Sequence, residues 1–169
     1  DAMGMLGALG DASDEGLLRS GLDRPDLARA AVLALGALGR VTAMPLLLER
    51  LADKKLGVAA AQAYRRLTGS DAAFGPKPFP PPEVAEGDDE REELPPAPAA
   101  AHADWQRRAP SMPADGFWQH GHRLPSSGLP EAFDALPLDC RRDVFLRQRA
   151  RRAAVPDLEL EALALRQRR

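Results

Sequence analysis

The chain holds one cysteine, Cys140, in 169 residues, which excludes an intrachain disulfide framework. Isoleucine and asparagine are missing altogether, lysine occurs three times against twenty arginines, and one tyrosine accompanies two tryptophans and five phenylalanines. So skewed a base composition points to a GC-rich source rather than to a structural demand. No apolar run long enough to span a bilayer exists, since the nearest, residues 30–48, is interrupted by Arg40 and Pro45. The opening residues Asp1, Ala2, Met3 and Gly4 lack the basic region and apolar stretch of a secretory leader. A soluble, cytoplasmic protein is the expectation. A net charge of −2 supplies no global field for nucleic acid or an anionic membrane.

Catalytic motifs are equally scarce. There is no Gly-x-Gly-x-x-Gly, phosphate loop, Gly-x-Ser-x-Gly or His-Glu-x-x-His, so no catalytic residue and no cofactor is expected. His120-Gly121-His122 offers two imidazoles, but no cysteine or carboxylate stands at zinc spacing and His102 is remote, so no metal site is expected either. Cys140 beside Arg141 and Arg142 has the cationic neighbours that favour a thiolate, although a lone helical cysteine is usually a small core residue.

What the sequence does contain is a repeat. A shift of 29 residues lays Leu6-Gly7-Ala8-Leu9-Gly10 on Leu35-Gly36-Ala37-Leu38-Gly39, Ser13 on Thr42, Leu17 and Leu18 on Leu46 and Leu47, and Ala30-Ala31 on Ala59-Ala60. Each unit reads as a short amphipathic helix and a longer, Ala-rich one. Ser13 and Thr42 stand where hydroxyl caps belong, Pro45 just inside a helix start, and Gly39 and Gly69 where helices stop in the left-handed region. The stretch 27–38 is apolar almost all round and has to be covered on several sides. Stacked helical hairpins, an all-α α-solenoid, satisfy that demand.

Proline marks the next boundary: thirteen of sixteen fall between residues 76 and 137. The division expected is one partial and two full repeats over 1–69, a Pro-rich acidic linker over 70–100, and an aromatic loop with C-terminal helices over 101–169. The linker carries Glu83, Glu86, Asp88, Asp89, Glu90, Glu92 and Glu93 and cannot bury enough apolar surface to fold alone. Trp105, Phe117 and Trp118 are anchors for an irregular segment or a recognition surface. Arg141, Arg142, Arg147, Arg149, Arg151 and Arg152 are expected to form one basic helix face, which would meet phosphates or pair with the acidic linker. A last helix is expected to end in Arg166, Arg168 and Arg169.

Asp26-Leu27-Ala28-Arg29-Ala30-Ala31-Val32-Leu33-Ala34-Leu35-Gly36-Ala37-Leu38-Gly39 resembles the second helix of a short bacterial HEAT-like repeat. Leu67-Thr68-Gly69, the acidic Pro-rich stretch and Phe117-Trp118-Gln119-His120-Gly121-His122-Arg123-Leu124 are similar to the C-terminal half of an uncharacterised proteobacterial HEAT-repeat family. Some members of that family are encoded beside type VI secretion genes. The resemblance implies a non-enzymatic scaffold or adaptor with a protein partner. Because helical repeats usually need three or more units, the chain is expected to be the C-terminal part of a longer solenoid with an exposed apolar edge at its N-terminal side, through which self-association is also open. Trp105, Phe117, Trp118, Arg123, Arg141 and Arg142 are the candidate partner-binding residues. Nucleic-acid binding through the C-terminal arginines is the alternative, and kinship with bilin lyases a remoter one.

Overall fold

A computed structural model describes residues 2–76 and 94–151. The chain is mostly helical. Helices α1 (Ala2–Leu9), α2 (Glu15–Ser20), α3 (Ala28–Leu38), α4 (Met44–Arg50) and α5 (Gly57–Thr68) come first. They are followed by α6 (Pro98–Arg108), a two-stranded antiparallel hairpin of β1 (Phe117–Gln119) and β2 (His122–Leu124), and α7 (Leu138–Ala150). The strands pair Trp118 with Arg123 and Gln119 with His122. Among the described residues no helix is long and apolar enough to cross a membrane. The linker stretch 77–93 and the expected last helix, with Arg152, Arg166, Arg168 and Arg169, lie outside the described residues.

Helix α3 is the centre of the packing. It lies between α1 and α5, and Ala31, Val32, Leu35 and Leu38 are completely buried on it. Each such leucine removed from water contributes roughly 2 kcal/mol. Two glycines bring the three helices unusually close. A Cβ on Gly7 would stand 2.7 Å from Ala34 Cα, and one on Gly36 would stand 2.7 Å from Ala63 Cα. Only a residue without a side chain fits either position. Helices α3 and α5 end at Gly39 and Gly69, with φ of 78° and 72°, the left-handed stops the sequence marked.

Neither expected hydroxyl cap forms, and α2 and α4 begin without a side-chain cap hydrogen bond. Asp11, not Ser13, caps the first short helical segment, accepting from the Ser13 amide while the Asp14 carboxylate accepts from Asp11 N–H at 2.8 Å. The Thr42 hydroxyl instead donates to Glu15 Oε2 at 2.5 Å. Glu15 also accepts from Arg19 at 2.7 Å, so one carboxylate ties α2 to the start of the next short helix. The segment after the linker also departs from expectation. Where an irregular loop was read, Pro98 opens α6, whose Ala101 and Asp104 are buried. The Tyr64 hydroxyl donates to Asp104 Oδ2 at 2.8 Å and joins α6 to α5. Pro98 in the first turn, an alanine run and terminal Arg107 and Arg108 are ordinary helix signals, outweighed in the sequence reading by the surrounding prolines.

Candidate functional site

The last four carbonyls of an α-helix lack intrahelical donors. Here the C-terminal third of the chain supplies them. Trp118 N–H donates to Gly39 O at 2.7 Å, His120 N–H to Arg66 O at 2.6 Å, and Gly121 N–H to Leu67 O at 2.9 Å. Gln119 Nε2 donates to Ala37 O at 2.5 Å. Arg147, with 2% of its surface exposed, extends its planar fork of donors into the ends of α1 and α3. It reaches Ala8 O at 2.9 Å, Gly7 O at 2.8 Å, and Leu38 O and Ala37 O at 3.1 Å each. A cation at helix C-termini also complements their partial negative charge.

This arrangement decides what the aromatic and arginine candidates do. Trp118 is 7% exposed, donates Nε1–H to Pro113 O at 3.2 Å and packs in the main core. Trp105 is half-buried on that same core. Phe117 bridges the main core and the smaller one formed by Leu124, Phe133, Leu136, Cys140, Val144 and Phe145. The guanidinium carbons of Arg40, Arg147 and Arg151 stand 5.4, 5.1 and 5.1 Å from its ring centre. Arg141, also 7% exposed, donates to Leu136 O and Asp134 O at 2.6 Å each. The single basic face expected of α7 is therefore broken up, because Arg141 and Arg147 spend their donors on backbone carbonyls inside the chain. Arg123 and Arg142 remain at the surface, paired with Asp115 at 3.0 Å and Asp143 at 3.3 Å.

His120 and Gly121 are explained by the hairpin. Both have positive φ, 52° and 80°, as the tight turn joining β1 to β2 requires. Burial, then the nearby Arg65 charge, holds the His120 imidazole below its usual pKa. Among the described residues no group of three or more His, Cys, Asp or Glu side chains gathers. Cys140 is 1% exposed and burial pushes its thiol up to about 12, the reverse of the thiolate considered from its arginine neighbours.

The concave surface that remains runs along α1, α3 and α5 and is walled by α7. A groove of about 520 Å³ is lined by Met5, Ala8, Ala30, Leu33, Ala37 and Leu146, with Arg66, Arg142 and Asp143 at one end. Leu33 and Arg66 also line a second cleft of about 320 Å³ that reaches Gln62, His120 and Cys140. Arg66 divides the two, pairing with Asp143 at 2.5 Å and Asp139 at 3.3 Å. Of the candidates read from sequence only Arg142 stands here. Arg123 and Phe117 border a separate cleft of about 860 Å³ whose charges alternate in sign, with Asp115 and Glu131 against Arg123 and Arg151.

Compared with known proteins, the chain matches no family model, no curated protein and no solved structure.

The groove residues that sequence reading missed carried a faint signal. Ala30, Leu33 and Ala37 share one face of α3 by their spacing of three and four. Asp139 and Asp143, four apart, stand on one face of α7 and meet Arg66. Only the fold shows that these two faces oppose one another.

Proposed function

We propose that the chain is a protein-binding scaffold or adaptor without catalytic chemistry of its own, built from HEAT-like helical-hairpin repeats as a short α-solenoid. The observation that carries this reading is recurrence. Gly7 meets Ala34 as Gly36 meets Ala63, and both members of the second pair stand 29 positions after those of the first. The short helices α2 and α4, starting at Glu15 and Met44, repeat at the same spacing. Stacked hairpins of this kind present an extended concave surface, and here that surface is the groove under α7. Its alanine and leucine walls fit apolar side chains of a protein segment. Arg142, its side chain 62% exposed at the rim, is placed to pair with a carboxylate on that segment. The likeness to a proteobacterial family directs the search for the partner to secretion-associated assemblies. Burial of Arg141 and Arg147 removes two of the cations on which the nucleic-acid alternative rested.

Affinity capture on the full chain, with nuclease and high-salt washes in parallel, tests the reading when run beside Leu33→Glu and Arg142→Glu. A discrete protein that survives both washes and is retained at least tenfold less by the two variants, at unchanged helical circular dichroism, is the expected result. Equal retention by the variants, or recovery of nucleic acid alone, overturns the groove as the binding surface.

A further inference from the structure

The β1–β2 hairpin has two outer edges, and the fold uses one of them. Trp118 N–H turns away from β2 and donates to Gly39 O at 2.7 Å. Arg123 stands directly opposite Trp118 in the register. In an antiparallel pair, opposite residues either exchange both backbone bonds or point their N–H and C=O groups outward together. The Arg123 N–H and C=O therefore point out of the far side of β2, where among the described residues no backbone group meets them. That side is the wall of the cleft of about 860 Å³, because all three residues of β2 line it and β1 contributes only Phe117.

Leu124, Phe117 and Leu129 give this cleft an apolar lining, and its rim carries charge of both signs. Asp115 and Arg123 pair with each other at 3.0 Å. Glu131 and Arg151 also line the cleft, and among the described residues neither is in an ion pair. The guanidinium carbon of Arg151 is held 5.1 Å from the Phe117 ring centre, a contact that fixes its place and spends none of its N–H donors. We infer that the cleft takes an extended peptide segment of a partner protein, which adds to β2 through the Arg123 N–H and C=O. An apolar side chain of that segment lies over Leu124 and Leu129, an acidic one meets Arg151 and a basic one meets Glu131. The site is separate from the groove under α7 and does not depend on it.

Main-chain groups at a strand edge are best matched by another main chain. One residue pair gives only two such bonds, so side chains have to carry the selectivity. The period of two in a strand supplies them, sending the neighbours of the paired residue to the face that Leu124 occupies. A segment of one sign of charge would satisfy Arg151 or Glu131 and be repelled by the other, whereas a segment with one acid and one base satisfies both. A second copy of the chain is a poor occupant. Pairing β2 with β2 about a two-fold axis sets Arg123 directly opposite Arg123, and like charges so placed are destabilising.

The test selects peptides from a random heptapeptide library displayed on phage, with the full chain as bait. The enriched peptides are expected to hold an apolar residue between one acid and one base. Selection on the double variant Glu131→Arg with Arg151→Glu is expected to reverse the order of those charges. The best peptide is then titrated by calorimetry into variants of unchanged circular dichroism. Arg123→Pro removes the outward N–H without breaking a bond of the hairpin, and should weaken binding about fivefold more than Arg123→Ala, which keeps it. Leu33→Glu and Arg142→Glu should leave the peptide bound as before, so this site and the groove fail separately. An absence of enrichment, the same peptides on the double variant, or equal binding by Arg123→Pro and Arg123→Ala overturns the inference. So does an Arg123 amide already protected from hydrogen exchange in the free chain. Protection independent of concentration would assign the edge to the chain's own residues, and protection that grows with concentration would assign it to a second copy.

Discussion

Arg147 Nη2 lies 2.8 Å from the carbonyl oxygen of Gly7, 140 residues earlier in the chain. Through this contact and those to Ala8, Ala37 and Leu38, one side chain closes two helix ends and holds α7 across them. The Phe117 ring lies over its guanidinium carbon at 5.1 Å. Arg147→Ala strands those carbonyls in a dry site and leaves a cavity, at an expected cost of about 3 kcal/mol. Arg147→Lys keeps the charge but not the planar fork, and should lose a comparable amount. Urea unfolding followed by circular dichroism measures both, and a loss under about 1 kcal/mol for either would contradict the role assigned.

The carboxylate of Asp104 anchors α6, and its environment makes stability sensitive to acid. Burial opposes its ionisation, but hydrogen bonds from Ser70, Tyr64 and Arg108 outweigh burial and hold its pKa at about 2, below the ordinary 3.8. With the folded value depressed, the contribution is fully present above the unfolded value and is lost as pH falls from about 4 towards 2. Asp104→Asn should flatten the stability profile in that window and change little of its shape near neutrality. The check is a set of urea midpoints between pH 2 and pH 7, compared with those of the parent chain. Parallel profiles would place the acid-labile contact elsewhere.

The helices of the first seventy residues were legible because local signals agreed with the tertiary arrangement. Gly39, Gly69 and Pro45 all fall where the structure uses them. The C-terminal third was less legible because its residues act at long range. Nothing local distinguishes Arg147, which caps helices more than a hundred positions away, from Arg142, which faces solvent five residues earlier. Their common place in an arginine-rich helix read as one basic surface. Likewise His120-Gly121 is a hairpin turn only because Trp118 and Gln119 find partners on α3. Ser13 caps nothing on α2 because its hydroxyl and its amide both donate to Asp11, which caps the short segment ahead of that helix.

Cys140 provides a probe of the smaller core. Its thiol is buried with Val144 and Leu136, and its pKa is raised to about 12. Ellman's reagent at pH 8 should therefore leave the native chain unlabelled over minutes and label it fully in denaturant. The rate at intermediate urea should follow opening of α7. Fast labelling of the native chain would show that α7 does not cover this site in solution.

The two stacking glycines give the sharpest test of the repeat. In a helix, Gly→Ala is favoured by roughly 1 kcal/mol when the new methyl has room. Gly16, on α2, has nothing within 4 Å of the position a Cβ would take, so Gly16→Ala should stabilise by about that amount. At Gly36 the methyl would meet Ala63 Cα, Cβ and O at 2.7, 2.8 and 3.0 Å, and at Gly7 it would meet Ala34 O, Cα and Cβ at 2.5, 2.7 and 2.9 Å. Backbone atoms cannot rotate away, so overpacking of about 1–3 kcal/mol should exceed the helix preference and destabilise both variants. Adding Ala63→Gly to Gly36→Ala, or Ala34→Gly to Gly7→Ala, removes only the methyl half of each collision and should recover part of the loss. Double-mutant cycles in urea measure the coupling, and equivalence of the repeats requires the two cycles to agree in sign. If Gly7→Ala proved as harmless as Gly16→Ala, the α1–α3 contact would not be the counterpart of the α3–α5 contact, and the solenoid reading would fall with it.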